Sequence, residues 1–215
     1  MSDELLAMLE PRSPGLTQGR GGIPEITALD VAGALGCAQD KFASACFQIV
    51  RGGSLHNFPH VDELLACRQF VEWRERAERL INAQIKVAAA HRMGRGAQHA
   101  KLEIEGARAA MWPALDDYGG KYEMIRRAVV AELRFPRICP LCNGTSEITR
   151  ESRIVPCTEC DARGVLPISD RQRALAMKID HTNYLRSWRK VYEWTYRLVS
   201  DSVATGREEF EAALK

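Results

Sequence analysis

The sequence predicts a mainly α protein, a helical bundle with a helix-turn-helix unit and a four-cysteine ribbon. Three observations predict it. Long stretches carry apolar residues at helical spacing between Gly- and Pro-rich breaks. Two Cys-x-x-Cys pairs, Cys139/Cys142 and Cys157/Cys160, are separated by 14 residues. A tandem of short capped amphipathic segments follows them at Ser169–Trp188. The 215 residues, 46% of them hydrophobic, allow one domain or two small ones with a real core. A charged fraction of 27% excludes wholesale disorder.

The elements follow in order. The start, Met1-Ser2-Asp3-Glu4-Leu5, is acidic and lacks the basic n-region of a secretory signal, and residues 1–10 have the pattern of a short amphipathic turn or two. Pro11, Pro14, Pro24, Gly15, Gly19, Gly21 and Gly22 cannot sit in a helix, so 1–26 reads as a flexible N-terminal arm. Thr27 with Asp30 is a variant capping box that opens a helix over Ala28–Val50, ended by Gly52-Gly53. Val61–Met93 is rich in Arg, Glu and Ala. Its pairs Glu72–Arg76 and Glu75–Arg79 support an exposed helix face, and Gly94-Arg95-Gly96 breaks it. Ala97–Trp112 is a further helix closed by Pro113. Lys121–Arg134 follows the Gly119-Gly120 turn and stops near Pro136. The expected organisation is thus a helical region over 27–120, a helix-turn-helix unit over 121–200 with the ribbon at 137–165, and a C-terminal tail over 201–215.

No stretch reaches the ~18 uncharged apolar residues of a membrane span, so a cytoplasmic protein without membrane contact is expected. There is no Walker loop, GxGxxG or HExxH, and His56, His60, His91, His99 and His181 share no metal spacing. No catalytic residue is legible and no enzyme is expected. Trp73, Trp112 and Trp194 read as core, as do Cys37, Cys46 and Cys67.

The paired cysteines carry chemistry. Two residues between cysteines let both sulfurs of a knuckle point at one ion, and two knuckles complete a tetrahedral S4 site suited to one structural Zn2+. The ligands are Cys139, Cys142, Cys157 and Cys160, and Glu147–Val155 has the β-branched content of a hairpin between them. A redox pair would need a thioredoxin-like βαβ setting, and a catalytic zinc would need an open position and a base. Neither pattern is present.

Charge is unevenly spread. Residues 134–200 hold 12 Lys/Arg against 7 Asp/Glu, although the whole chain is only +2. That block fits a polyanion such as double-stranded DNA. Within it, Ser169 can cap a first helix over Asp170–Lys178. Ala174 is small where two helices would cross, Ile179 is the apolar turn residue, and Asp180 or Thr182 can cap a second helix running to about Ser200. On a helical wheel Arg186, Lys190, Arg197 and Arg189 share one face. Tyr184, Trp188, Val191, Thr195, Leu198 and Val199 share the opposite one. Arg171, Arg173, Lys178, Thr182, Asn183, Arg186, Arg189 and Lys190 are the candidate DNA contacts. Asn183 and Arg186 lie near the helix N-terminus, where side chains reach base edges.

Two blocks, Ala28–Gln39 and the run from Arg137 through Ser200 with its CxxCxG knuckle, ribbon, second CxxC, Ser169-x-x-x-Arg173-Ala174 and Trp188-containing helix, resemble the lambda-type Q late-gene transcription antitermination proteins of bacteriophages. They cover roughly 90 residues. The resemblance implies a zinc module inserted beside or within the helix-turn-helix, with Lys121–Arg134 before it in one DNA-binding unit. It also implies a mechanism. Such a protein binds a DNA element at the late promoter and loads onto paused, sigma-bearing bacterial RNA polymerase. There it touches sigma region 4 and the β flap and, helped by NusA, makes the polymerase read through terminators. One copy or more rides each polymerase in the host cytoplasm. Two alternatives stand beside it: a zinc-containing promoter repressor or activator, and a DnaJ-like zinc module that holds proteins.

Overall fold

The computed structural model describes residues 33, 34, 36, 38–52, 58–94, 96–115, 120–150 and 153–214. The expected arm at 1–26 and most of the Thr27-capped start of the first helix lie outside the described residues, as does Cys37. The helices are α1 (Lys41–Arg51), α2 (Phe58–Met93), α3 (Ala97–Ala110), α4 (Lys121–Arg134) and α5 (Asp170–Ala176). Then come α6 (His181–Asn183), a π-helical turn (Tyr184–Trp188) and α7 (Arg189–Ala213), which follow one another without a break. The strands β1 (Arg137–Ile138), β2 (Glu147–Arg150), β3 (Arg153–Pro156) and β4 (Val165–Leu166) all fall between α4 and α5. Among the described residues no helix is long and apolar enough to cross a membrane.

The first helix does not run unbroken from Ala28 to Val50. Residues 38–40 leave the helical conformation, and Asp40 restarts it by accepting hydrogen bonds from the amides of Phe42 (2.9 Å) and Ala43 (3.0 Å). An aspartate at this position satisfies amides that would otherwise be orphaned, which favours a new start over continuation. Phe42, Cys46, Phe47, Ile49 and Val50 then form the buried stripe of α1. Burial, with Asp40 nearby, pushes the Cys46 thiol up to about 12, which keeps it a neutral core side chain. Cys67, in contrast, is exposed on α2 and is not a core residue.

One hydrophobic core runs from Ala34 to Phe210 and draws on α1, α2, α4, α5 and α7. It includes residues on both sides of the expected boundaries at residues 120 and 200. The expected tail over 201–215 is the second half of α7, and Val203, Gly206 and Phe210 are buried there, with Phe210 packed at 5.5 Å between ring centroids against Phe47. A glycine is required at the crossing. A Cβ on Gly206 would fall on the carbonyl oxygen of Ala43 and lie 2.9 Å from Cβ of Phe47. Gly206→Ala is therefore expected to pry α1 from α7 at about 3 kcal/mol, the upper end for overpacking. A urea titration would check this, and an unchanged midpoint would refute the close crossing.

Buried polar groups lock the other helices in register. Arg126 of α4 donates to both carboxylate oxygens of Asp62 (2.7 and 2.9 Å) and to Oε1 of Gln69 (3.0 Å). Gln69 in turn donates to Oγ1 of Thr195 (2.9 Å), whose hydroxyl returns to the Val191 carbonyl (2.8 Å). A closed chain of this kind tolerates burial because its members satisfy one another. The Glu75–Arg79 pair of α2 forms on an exposed face as expected (3.3 Å), whereas Glu72–Arg76 (2.7 Å) is mostly covered, because Arg76 also donates to the Ala110 carbonyl and lies over Trp112.

Candidate metal centre and nucleic-acid interface

The four cysteines of the ribbon form a second buried cluster, separate from the helical core, with Ile148 and Leu166 packed against it. The antiparallel pair β1/β4, with Arg137 opposite Leu166 and Ile138 opposite Val165, closes a stalk at its base. The hairpin β2/β3 rises between the knuckles, in register from Glu147–Pro156 to Arg150–Arg153, as the sequence predicts. Each knuckle turns on residues with positive φ: Asn143 and Gly144 after the first, Asp161 and Ala162 after the second. The Cys139 amide donates to the Gly164 carbonyl and the Cys157 amide to the Ser146 carbonyl, each at 2.9 Å, so each knuckle is tied to the loop following the other.

Gly164 has φ +73°, and its amide donates to Sγ of Cys160 at 3.3 Å. A Cβ there would lie 2.6 Å from the Gly144 carbonyl oxygen. Only glycine lets the two knuckles approach this closely.

The sulfur geometry fits a metal. Ligands ~2.3 Å from a tetrahedral ion stand ~3.8 Å apart. Sγ of Cys139 and Cys157 are 3.8 Å apart, Sγ of Cys142 and Cys160 are 3.7 Å apart, and all four lie within 4.8 Å of one another. All four cysteines are buried, so they could hold one metal ion with no open position among them. Four thiolates, all sulfur, are a donor set consistent with zinc. The ribbon itself is not basic: residues 137–165 carry Arg137, Arg150, Arg153 and Arg163 against Glu147, Glu151, Glu159 and Asp161. The positive excess of the region comes from the helices that flank it.

Past the ribbon, Ser169 caps α5 with a full capping box. Its hydroxyl accepts from the Gln172 amide (3.3 Å), and the Gln172 side chain accepts from the Ser169 amide (3.0 Å). α5 is two residues shorter than expected, because Met177 and Lys178 form the turn. Lys178 has φ +53°, a left-handed conformation that glycine adopts more easily. Lys121 of α4 reaches across and donates to the carbonyls of Met177 (3.2 Å) and Lys178 (3.4 Å), which satisfies the end of α5. Ala174 is buried, Ile179 packs against the core, and Asp180, not Thr182, caps the second helix by accepting from the Asn183 amide at 2.9 Å.

The apolar face of the second helix is where the wheel places it: Tyr184, Trp188, Val191, Thr195 and Val199 are buried. The π-helical turn over Tyr184–Trp188 was not legible. Its extra residue turns α6 relative to α7, so one wheel cannot serve both.

The candidate contacts separate into two groups. Arg171, Lys178, Thr182, Asn183 and Arg186 are exposed. Arg173 is committed elsewhere: its guanidinium donates to both oxygens of Glu132 (2.6 and 3.1 Å) and lies over the rings of Tyr192 and Tyr196. Burial works against its charge, but the Glu132 hydrogen bond and carboxylate prevail and raise its basicity. Arg189 is exposed and paired with Glu193 at 2.7 Å and Asp170 at 3.6 Å. Lys190 donates to the Ala109 carbonyl at 2.8 Å, at the end of α3, and burial together with nearby Arg76 lowers its basicity. The sequence reading missed Glu132 and Lys121, the partners that fix Arg173 and the turn. Their only signal was position on the helix before the ribbon.

No family model, curated protein or solved structure matches the chain.

Proposed function

We propose that the chain is a DNA-binding transcription factor built on a helix-turn-helix, with a structural zinc ribbon inserted between α4 and the turn. The capped α5–turn–α6 tandem carries this reading, with Arg171 exposed in the first turn of α5 and Lys178, Thr182, Asn183 and Arg186 exposed from the turn into the second helix. Side chains at the start of the second helix are the ones that reach base edges in the major groove. Zinc in the closed S4 site would supply local folding energy and no chemistry of its own.

The expected test is graded. Arg186→Ala should cost about 1–3 kcal/mol on the specific duplex and little on others. Lys178→Ala should weaken all duplexes alike and flatten the salt dependence. Lys178 is a better phosphate probe than Lys190, whose ammonium holds the end of α3. Equal affinity of both variants and the parent, measured by anisotropy over a salt series, would remove α6 from the interface.

Within this class we favour an antiterminator of the Q kind, on the resemblance carried by Ala28–Gln39 and Arg137–Ser200. Double-stranded DNA, sigma region 4, the polymerase β flap and NusA are then its partners, in the bacterial cytoplasm. A second protein anchor suits a single small reading unit, because effective concentration multiplies a modest DNA affinity. The intact chain is expected to suppress an intrinsic terminator downstream of its own promoter with cognate polymerase. Promoter binding without read-through would instead establish the repressor or activator reading.

A further inference from the structure

A groove of about 720 Å³ lies where the ribbon stalk meets α5 and the start of α6. Ala174, Leu175 and Ile179 give it apolar walls, Arg137, Arg171 and His181 stand around it, and no carboxylate lines it. Leu175 is 76% exposed, the most exposed large apolar side chain among the described residues. A nucleic acid backbone would satisfy the arginines but leave Leu175 and Ile179 against water or phosphate. The complementary occupant is a short segment with apolar residues on one side and carboxylates on the other.

We propose that this groove docks the chain's own segment Asp3–Glu10 while the protein is free of its target. The sequence Asp3-Glu4-Leu5-Leu6-Ala7-Met8-Leu9-Glu10 holds three carboxylates and no basic side chain. On a helix, Leu5, Leu6, Met8 and Leu9 fall on one side and Asp3, Glu4 and Glu10 on the other. A helix this short is not stable alone and needs a surface to form on.

Residues 11–32 separate the segment from the first described residue and reach about 70 Å when extended. A chain of this length has a radius of gyration of about 17 Å, so the groove is within reach. Tethering by such a Pro/Gly-rich stretch gives an effective concentration on the order of 1 mM. A contact with a Kd of about 0.1 mM is then roughly ten-elevenths occupied, whereas a free partner would have to be present near millimolar to compete. The docked segment covers Arg171 and His181, hence the approach to Thr182 and Asn183. That masking consequence rests on the proposed DNA reading, although the docking does not.

The test uses the full chain with Leu175→p-benzoylphenylalanine, irradiated at low micromolar concentration and mapped by mass spectrometry. Exposure of Leu175 leaves the fold unaffected by the replacement. An intramolecular cross-link to residues 3–10 is expected. Adding Leu5→Glu and Leu9→Glu should cut its yield about tenfold. Arg171→Glu should also weaken it, and Asp3→Arg with Glu4→Arg should restore it in that background. Cross-links only between two chains, or none to residues 3–10, would overturn the proposal. Duplex affinity then separates the two readings. Leu5→Glu/Leu9→Glu in the otherwise unaltered chain should bind about tenfold more tightly than the parent. Equal affinity would overturn the masking, and no duplex binding by either would overturn the DNA reading while the cross-link still judged the docking.

Discussion

Cys157→Ser is expected to reduce the metal content from one ion per chain to near zero and to unfold the ribbon, while the helical core stays folded. The two buried clusters are separate, one of helices and one of cysteines, so loss of the second need not melt the first. Apart from the sulfurs, the large apolar side chains among the described ribbon residues are at best partly buried, namely Ile148, Val155, Val165 and Leu166, while Ile138, Leu141 and Ile154 are exposed. So little apolar burial cannot hold some thirty residues against their chain entropy. Metal binding in such modules commonly supplies about 10 kcal/mol or more, and no other force in the ribbon approaches that. Hydrogen exchange should show amides of 137–166 losing protection in the variant, with helical dichroism almost unchanged. A strong chelator should give the same result with the unaltered chain. Stoichiometric metal in the variant would refute the ligand assignment.

Glu132→Ala is expected to destabilise the whole protein by about 3–5 kcal/mol, the range for removing one partner of a buried ion pair. Glu132 accepts from Arg173 through both oxygens and from the Tyr192 hydroxyl at 2.7 Å. The side chains of Arg173 and Glu132 are 15% and 8% exposed, so the guanidinium has little water to fall back on. In the variant it stays charged and keeps only the longer contact to Asp170 (3.9 Å), and Tyr192 loses its acceptor. A melting temperature lower by roughly 10 °C or more is the expected reading for a chain of this size. Replacing both partners together, as Glu132→Leu with Arg173→Met, should cost less than either single change, because no stranded charge remains. A double variant as unstable as the sum of the singles would show that the pair acts only through packing.

Local features were the legible ones. The cysteine spacing, the hairpin between the knuckles, the Ser169 and Asp180 caps, the α4 boundaries and the buried face of the second helix all arise from residues a few positions apart, where sequence spacing dictates geometry. What lay across the fold was not legible. Residues 201–213 look like a polar tail until α1 is placed against them, because only the crossing explains Gly206. Arg173 looks like a phosphate contact until Glu132, 41 residues earlier, is brought beside it. The π-helical turn is equally invisible, since Tyr184, Trp188 and Tyr192 are spaced as an unbroken α-helix would space them on one face.

The stalk also has a kinetic meaning. Glu132 and Arg173 sit at the ends of a long excursion, and closing it costs chain entropy before their ion pair forms. Once β1 and β4 are joined, the path between them shortens to roughly 13 steps, which lowers the closure cost by about 1 kcal/mol. A metal-loaded ribbon would thus act as a clasp that brings α4 and α5 together early. The ion, remote from the helical core, would set how fast that core assembles more than how stable it finally is.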